Sequence, residues 1–421
     1  MTDPAKALEW RRFWPLPFVA LWGMAGSGIA VYSTGVFMGE LTRAFGWTKT
    51  QYSSAMTIQL ILLLVVVPAV GRAVDRFGPR AVALAGIVPT MAATAALGLA
   101  DGRLWQWWML MGFQTIGAVM LIPPVWITAV VGQFHASRGL ALAVALAGIG
   151  VGTALWPMLA AFFIERLGWR LAYGALAVSW GVVIAPLTFL FFYGPQDRVP
   201  LAARTRRAAP FAHHLRSGVF LCFAGSGGLF VLVCQAMTLH LVPILRGAGV
   251  GLAAAAGLAG VAGVASIAGR LATGVMLDAM PAQRLGVIVF LLPAAAAVLL
   301  AFGGGSMTVA VIAALLLGLS MGAEGDILNY LSALRFDHAV FGSIASAIQT
   351  VTAVTSVGGV MAAAAMYDRA GSYTPFLMAT IPLTILGAIL LALLPAARTA
   401  AVTEDEPLPG VIPATNQPLM D

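Results

Sequence analysis

Between Trp14 and Pro395, apolar stretches of membrane-spanning length follow one another with only short polar breaks. About 20 consecutive apolar residues, at 1.5 Å of helix rise each, cross a hydrocarbon layer roughly 30 Å thick. Inside lipid every backbone donor and acceptor must be satisfied within the protein, so only helices and closed barrels span. A barrel would show short alternating segments, and these runs are long and unbroken. The pattern predicts an all-α polytopic membrane protein. Composition excludes the alternatives: 60% of residues are hydrophobic and 9% charged, against about 25% charged in soluble domains. Disordered chains and coiled coils fail the same test, since both need charge.

Gly, Pro and charged residues punctuate the 421-residue chain into twelve helices, near 16–38, 51–70, 81–100, 107–131, 140–163, 171–193, 218–245, 252–276, 285–303, 307–330, 343–366 and 375–395. The long polar connection 194–217 divides two six-helix bundles, 1–193 and 218–395, and a Pro-rich acidic tail, 396–421, reads as disordered. The net charge of +7 is a topology signal rather than a nucleic-acid signal. Counting Lys and Arg on alternate sides puts fifteen with the N-terminus and seven opposite, with Arg270 left inside a helix. Both termini are therefore expected to be cytoplasmic. The N-terminal stretch lacks a cleavage pattern, so Trp14 onward reads as a retained first span. Cys222 and Cys234 fall on one expected helix, about 18 Å apart along its axis, too far for a disulfide.

An internal repeat appears at an offset of 203 residues: Gly46/Gly249, Gly71/Gly274, Asp75/Asp278, Gly139/Gly342, Gly168/Gly371 and Tyr173/Phe376. Each pair falls at a corresponding loop or helix end. Two parallel six-helix halves with a midplane site between them describe a secondary transporter.

The segment Gly71-Arg-Ala-Val-Asp75-Arg76-Phe-Gly78-Pro-Arg80 joins helices 2 and 3. Its glycines suit close helix approach, and Asp75 can accept from a helix terminus or pair with Arg138. The second half holds a reduced copy, Gly274-Val-Met-Leu-Asp278, with Arg335 as the partner. A gate latch is favoured over plain end-markers because the spacing recurs. This segment resembles the G-x-x-x-D-R-x-G-R signature of the major facilitator superfamily. Gln133-Phe-His-Ala-Ser-Arg138-Gly139 running to Gly148 resembles the helix 4–5 signature of the monocarboxylate transporter family. Leu239-His240-Leu-Val-Pro243, Gly269-Arg270-Leu-Ala-Thr-Gly274 and Gly322-Ala-Glu324-Gly-Asp326-Ile-Leu-Asn329-Tyr330 are similar to its bacterial members. The resemblance implies a bacterial inner-membrane protein working as a monomer.

Arg270 is the leading candidate. An intramembrane Arg costs about 3 kcal/mol on insertion scales and is a functional hypothesis by default. Its repeat counterpart is Val67, so the fold itself does not demand a cation there. Guanidinium presents a planar fork matched to carboxylate. The structural alternatives are a pair with Glu324 or Asp326, or snorkelling. In the resembled family this arginine binds the substrate carboxylate. Ser266, one turn earlier, shares its face; animal members carry there an Asp linked to proton coupling. Asn329 and Tyr330 could add hydrogen bonds. His240, whose counterpart is Phe37, is either a cavity residue that titrates or a helix-to-helix bond. His240, Glu324 and Asp326 are the proton-coupling candidates; the two acids, about 200° apart, cannot both face one cavity. Gln59 and Gln114 are candidates to line the first half, with helix stapling as the plain alternative. Gly148 and Gly152 read as a packing contact.

The expected function is secondary transport of small organic carboxylates, coupled to protons, by alternating access. The rival is an organic-anion exchanger resembling the oxalate–formate antiporters, favoured by the lack of an evident acid beside Arg270. The partners are a small carboxylate, protons and the bilayer. No cofactor, metal or enzymatic step is expected, because the five histidines are scattered without ligand spacing.

Overall fold

The computed structural model describes residues 4–194, 217–303, 305–333, 335 and 338–394. The expected central connection and tail lie almost wholly outside them. After a short N-terminal helix (Pro4–Phe13), twelve spans follow: α1 Pro15–Phe45, α2 Lys49–Phe77, α3 Pro79–Leu99, α4 Leu104–Gln133, α5 138–167, α6 169–191, α7 Gly218–Gly247, α8 Leu252–Ala279, α9 Ala282–Phe302, α10 Met307–Ala333, α11 His338–Ala370 and α12 Thr374–Ala392. No strand occurs among the described residues. The spans α5 and α6 run on as one helical stretch broken only at Gly168 (φ 75°, ψ 161°). Several spans overrun the expected apolar limits. α2 carries Asp75 and Arg76 in its last turns, because a charged residue ends burial in lipid without ending a helix. α4 is interrupted before Pro123-Pro124, whose missing N–H groups cannot continue the ladder.

Two of the six repeat pairs have a backbone cause. Gly46 and Gly249 have φ of 69° and 89°, and Gly168 and Gly371 have 75° and 70°. These are the chain reversals after α1 and α7, and after α5 and α11. A side chain in the left-handed region costs about 1–2 kcal/mol, so the same glycines stand at the same turns of both halves.

Small residues set the packing within each half. A methyl at Gly148 or Gly152 would strike the backbone of Leu21 or Ala25, so these glycines seat α5 on α1, as expected of a packing contact. The Trp156 indole donates to the Ala25 carbonyl at 2.6 Å, and that of Trp180 to the Trp22 carbonyl at 3.1 Å, tying α5 and α6 to α1. In the second half a methyl at Gly318 would strike the Ala262 carbonyl, and one at Gly322 would strike the Ser266 carbonyl and lie 3.0 Å from the Arg270 amide nitrogen. α8 and α10 are thereby in backbone contact. Cys222 and Cys234 are both free.

Candidate functional site

Between the halves lies a cavity of about 950 Å3, lined by α1 and α5 from the first and α7, α8 and α10 from the second. It reaches Gly139 at the start of α5 and Gly274 near the end of α8, and so opens to the face where α1 begins and α12 ends, here the terminal face.

Arg270 and Asp326 both line this cavity, with Arg270 Nη1 3.3 Å from Asp326 Oδ1 and each side chain about one-third exposed (33% and 34%). The lack of an evident acid beside Arg270 is corrected, and the pair with Asp326, its structural alternative in the sequence, is made. Asp326 reaches it because Gly322, one turn before, lets α10 touch α8 at the level of Ser266 and Arg270. Of the two acids Asp326 lines the cavity and Glu324 does not, in keeping with their angular separation. Ser266 also lines it, its hydroxyl donating to the Gly263 carbonyl at 2.7 Å. Tyr330 is 43% exposed and lines neither this cavity nor the smaller one beyond it. The side chain of Asn329 lies outside the described residues.

His240 is fully buried and lines neither cavity. Its Nδ1 is 2.8 Å from the Tyr373 hydroxyl, on the turn into α12, and its Nε2 3.2 Å from the Val360 carbonyl of α11. A carbonyl only accepts, so Nε2 carries a hydrogen. The histidine is bonded between two helices, the plainer of its two readings.

The gate residues stand apart on the terminal face. Asp75 is exposed and has neither ion pair nor hydrogen bond among the described residues; Arg138 is exposed as well. The expected Asp75–Arg138 pair is thus not made in this conformation. A methyl at Gly71, Gly139 or Gly274 would meet nothing within 4 Å, so the close approach inferred for Gly71 and Gly274 is also absent here. Gly78 adopts φ 83°, ψ 157° at the α2–α3 turn. Arg80 donates to the Phe189 carbonyl at 2.7 Å and the Tyr193 hydroxyl at 2.9 Å, fastening α3 to the end of α6. Arg76 lies over the neighbouring Phe77 ring. Arg335 bonds Gln283 at 3.2 Å, and the side chain of Asp278 lies outside the described residues.

The opposite face is sealed by contacts that carry no motif. The Asp368 carboxylate, at the end of α11, accepts from the Lys49 and Thr50 amides at 2.9 and 2.8 Å, the free N–H groups that open α2. The Lys49 ammonium sits 3.1 Å above the Tyr367 ring centroid and 4.3 Å above that of Tyr373. A methyl at Gly35 of α1 would strike the Leu239 carbonyl of α7, so these two helices pass at close range. A second tether lies on the terminal face. Glu9 accepts from the amides of His135, Ala136 and Ser137 and from the Ser137 hydroxyl, at 2.8–2.9 Å. The Ala136 amide, followed by those of His135 and Ser137, holds its pKa down at about 2. Lys49, Asp368 and Glu9 were invisible to motif reading, since each is an isolated charge whose partners are aromatic rings or backbone amides.

Twelve spans around a central cavity, closed at one face and open at the other, define a membrane transporter rather than an enzyme. The chain belongs to the Major Facilitator Superfamily, whose sequence profile matches residues 20–360. An MFS-type transporter of Gibberella moniliformis is 24% identical over 80% of this chain and 81% of its own length. MFS-type transporter hasB of Aspergillus fumigatus is 29% identical over 44% of this chain. Human Monocarboxylate transporter 6 is 30% identical over 36% of it. These two matches span 42% and 29% of the relatives' own lengths. In fold the chain is similar to a bacterial homolog of the human lysosomal transporter Spinster, solved in an inward-facing, unoccupied conformation. The TM-score is 0.65 at 14% identity, over 94% of this chain and 95% of that one.

Proposed function

We propose that the protein carries small organic monocarboxylates, such as lactate or pyruvate, together with a proton by alternating access. The observation that supports this reading is the Arg270–Asp326 pair on the wall of the central cavity. One guanidinium cannot serve two carboxylates fully. With Asp326 ionised, Arg270 is engaged and an arriving anion meets a neutral pair. With Asp326 protonated, the guanidinium fork is free for the substrate carboxylate and the loaded site is again near neutral. Cation and anion then cross as one electroneutral load, which avoids carrying net charge through a low-dielectric interior. The similarity to part of a monocarboxylate transporter agrees with this chemistry. The exchanger reading drew some support from a guanidinium with no acid beside it, and Asp326 takes that support away.

With the Lys- and Arg-rich terminal face taken as cytoplasmic, the conformation is inward-facing and the two six-helix halves rock about the site. A bacterial inner-membrane location and a monomeric working unit belong to the same proposal. Uptake into proteoliposomes under an imposed pH gradient tests it. Wild-type protein should accumulate a monocarboxylate and acidify the lumen. Asp326→Asn should keep counterflow exchange and lose accumulation. Accumulation by Asp326→Asn with the wild-type pH profile would remove Asp326 from coupling. Transport that requires an internal counter-anion would favour exchange.

A further inference from the structure

The central cavity has a neighbour on its sealed-face side. A second cavity of about 250 Å3 lies among α1, α2, α4, α7 and α11, and Val31 and Gln235 line both. Three primary amides line this chamber: Gln59 on α2, Gln114 on α4 and Gln235 on α7. No lining residue is charged. Gln114 is 1% exposed, and its Nε2 has no hydrogen-bond partner. Gln59 Nε2 reaches only the Met111 sulfur, 3.5 Å away, and a thioether is a weak acceptor. Helix stapling would leave these amides bonded to a neighbouring helix, and Gln114 Nε2 is not. A buried amide without a partner is costly, and such groups call for an explanation.

We infer that the amide chamber receives the far end of the substrate, a monocarboxylate whose distal end carries a neutral hydrogen-bonding group such as a hydroxyl, a ketone or an amide. The inference rests on Arg270 as the carboxylate site. Glutamine amides offer donors and acceptors without charge, so a neutral polar group satisfies them. A second carboxylate would be desolvated with no cation to meet it. A plain alkyl end would fill the volume and leave Gln114 unpaired, the mismatch by which a hydrogen-bonding pocket rejects an analogue lacking the polar group. Gln114 belongs to the first half and Arg270 to the second, so one bifunctional acid held at both ends bridges the halves.

The experiment measures binding to the detergent-purified full chain of straight-chain ω-hydroxy acids of increasing length. Each is compared with the alkyl monocarboxylate and the α,ω-dicarboxylate of equal length. At the length that spans Arg270 and the chamber, the hydroxy acid should bind about tenfold or more tighter than its alkyl analogue, with the dicarboxylate weakest. Gln114→Leu should erase that preference while leaving alkyl affinity within about twofold, and Gln235→Leu, at a less buried position, should reduce it. If alkyl acids bind and no length prefers the hydroxyl, the chamber inference is overturned and the Arg270 reading stands. If both glutamine variants keep the wild-type preference, the chamber is likewise overturned. If no acid binds, the Arg270 reading fails and takes the chamber with it.

Discussion

Asp326 and His240 show how far single residues declare themselves. Arg270 stood out because a guanidinium in an apolar helix has few reasons to be there, and it lines the central cavity. The sequence offered Glu324 and Asp326 alike as its acid; 56 residues separate Arg270 from Asp326, and the α8–α10 contact decides for Asp326. His240 stood out equally in the sequence, yet both ring nitrogens are bonded within the protein. His240→Gln should therefore lower the melting temperature of purified protein and leave the pH profile of uptake as in wild type; a flattened profile would return His240 to the coupling set. Glu9 gives a pH prediction with a definite sign. Its folded pKa of about 2 lies below the usual 4.5, so its stabilisation is fully present above the unfolded value and is lost as pH falls toward 2. The melting-temperature gap between wild type and Glu9→Gln should be constant from about pH 5 to 8 and shrink below about pH 4.5. A gap that widens in acid would contradict this.

Among the helices, the glycines divide into two populations. Gly318 and Gly322 are spent on the α8–α10 contact, whereas Gly71 and Gly274 face open space at the terminal face. Gly322→Ala would press a methyl into the Ser266 carbonyl and the Arg270 amide. It should lower both melting temperature and carboxylate affinity, since overpacking costs about 1–3 kcal/mol and displaces Arg270. Gly71→Leu and Gly274→Leu should fold with wild-type melting temperature in this conformation. They should bind substrate and turn over slowly, because their space is needed only when the face closes. Equal loss of stability in all three variants would refute the division. Twelve spans and the 203-residue repeat were readable because hydropathy and turn glycines are local signals. The break between α5 and α6 reduces to one residue, Gly168. Which glycines are occupied was not readable, because that depends on the conformation.

Across the whole molecule, one face is shut by Asp368 on the first turn of α2 and the other stands open, with Asp75 unpaired among the described residues. A carboxylate on helix N–H groups is a charge-assisted bond, reinforced by the helix dipole. Asp368→Asn keeps the shape and removes the charge, so the sealed face should open more often. Double electron–electron resonance between labels at Arg103 and Arg246, both exposed near that face, checks this. The distribution should gain a longer-distance population in Asp368→Asn, and an unchanged distribution would remove the latch. The motif-bearing face was the one expected to hold the gate, and the closed contacts lie on the face without motifs.

We propose that Arg270 holds the carboxylate of the transported anion. The most direct measurement is the affinity of a monocarboxylate for detergent-purified Arg270→Gln and Arg270→Lys, each shown to elute as a monodisperse species. Losing a desolvated charge-assisted pair costs about 2–5 kcal/mol, so Arg270→Gln should bind roughly 30-fold or more weakly. Arg270→Lys should recover little of the loss, because an ammonium lacks the planar fork. A well-folded Arg270→Gln that binds the acid with wild-type affinity would remove Arg270 from the carboxylate site.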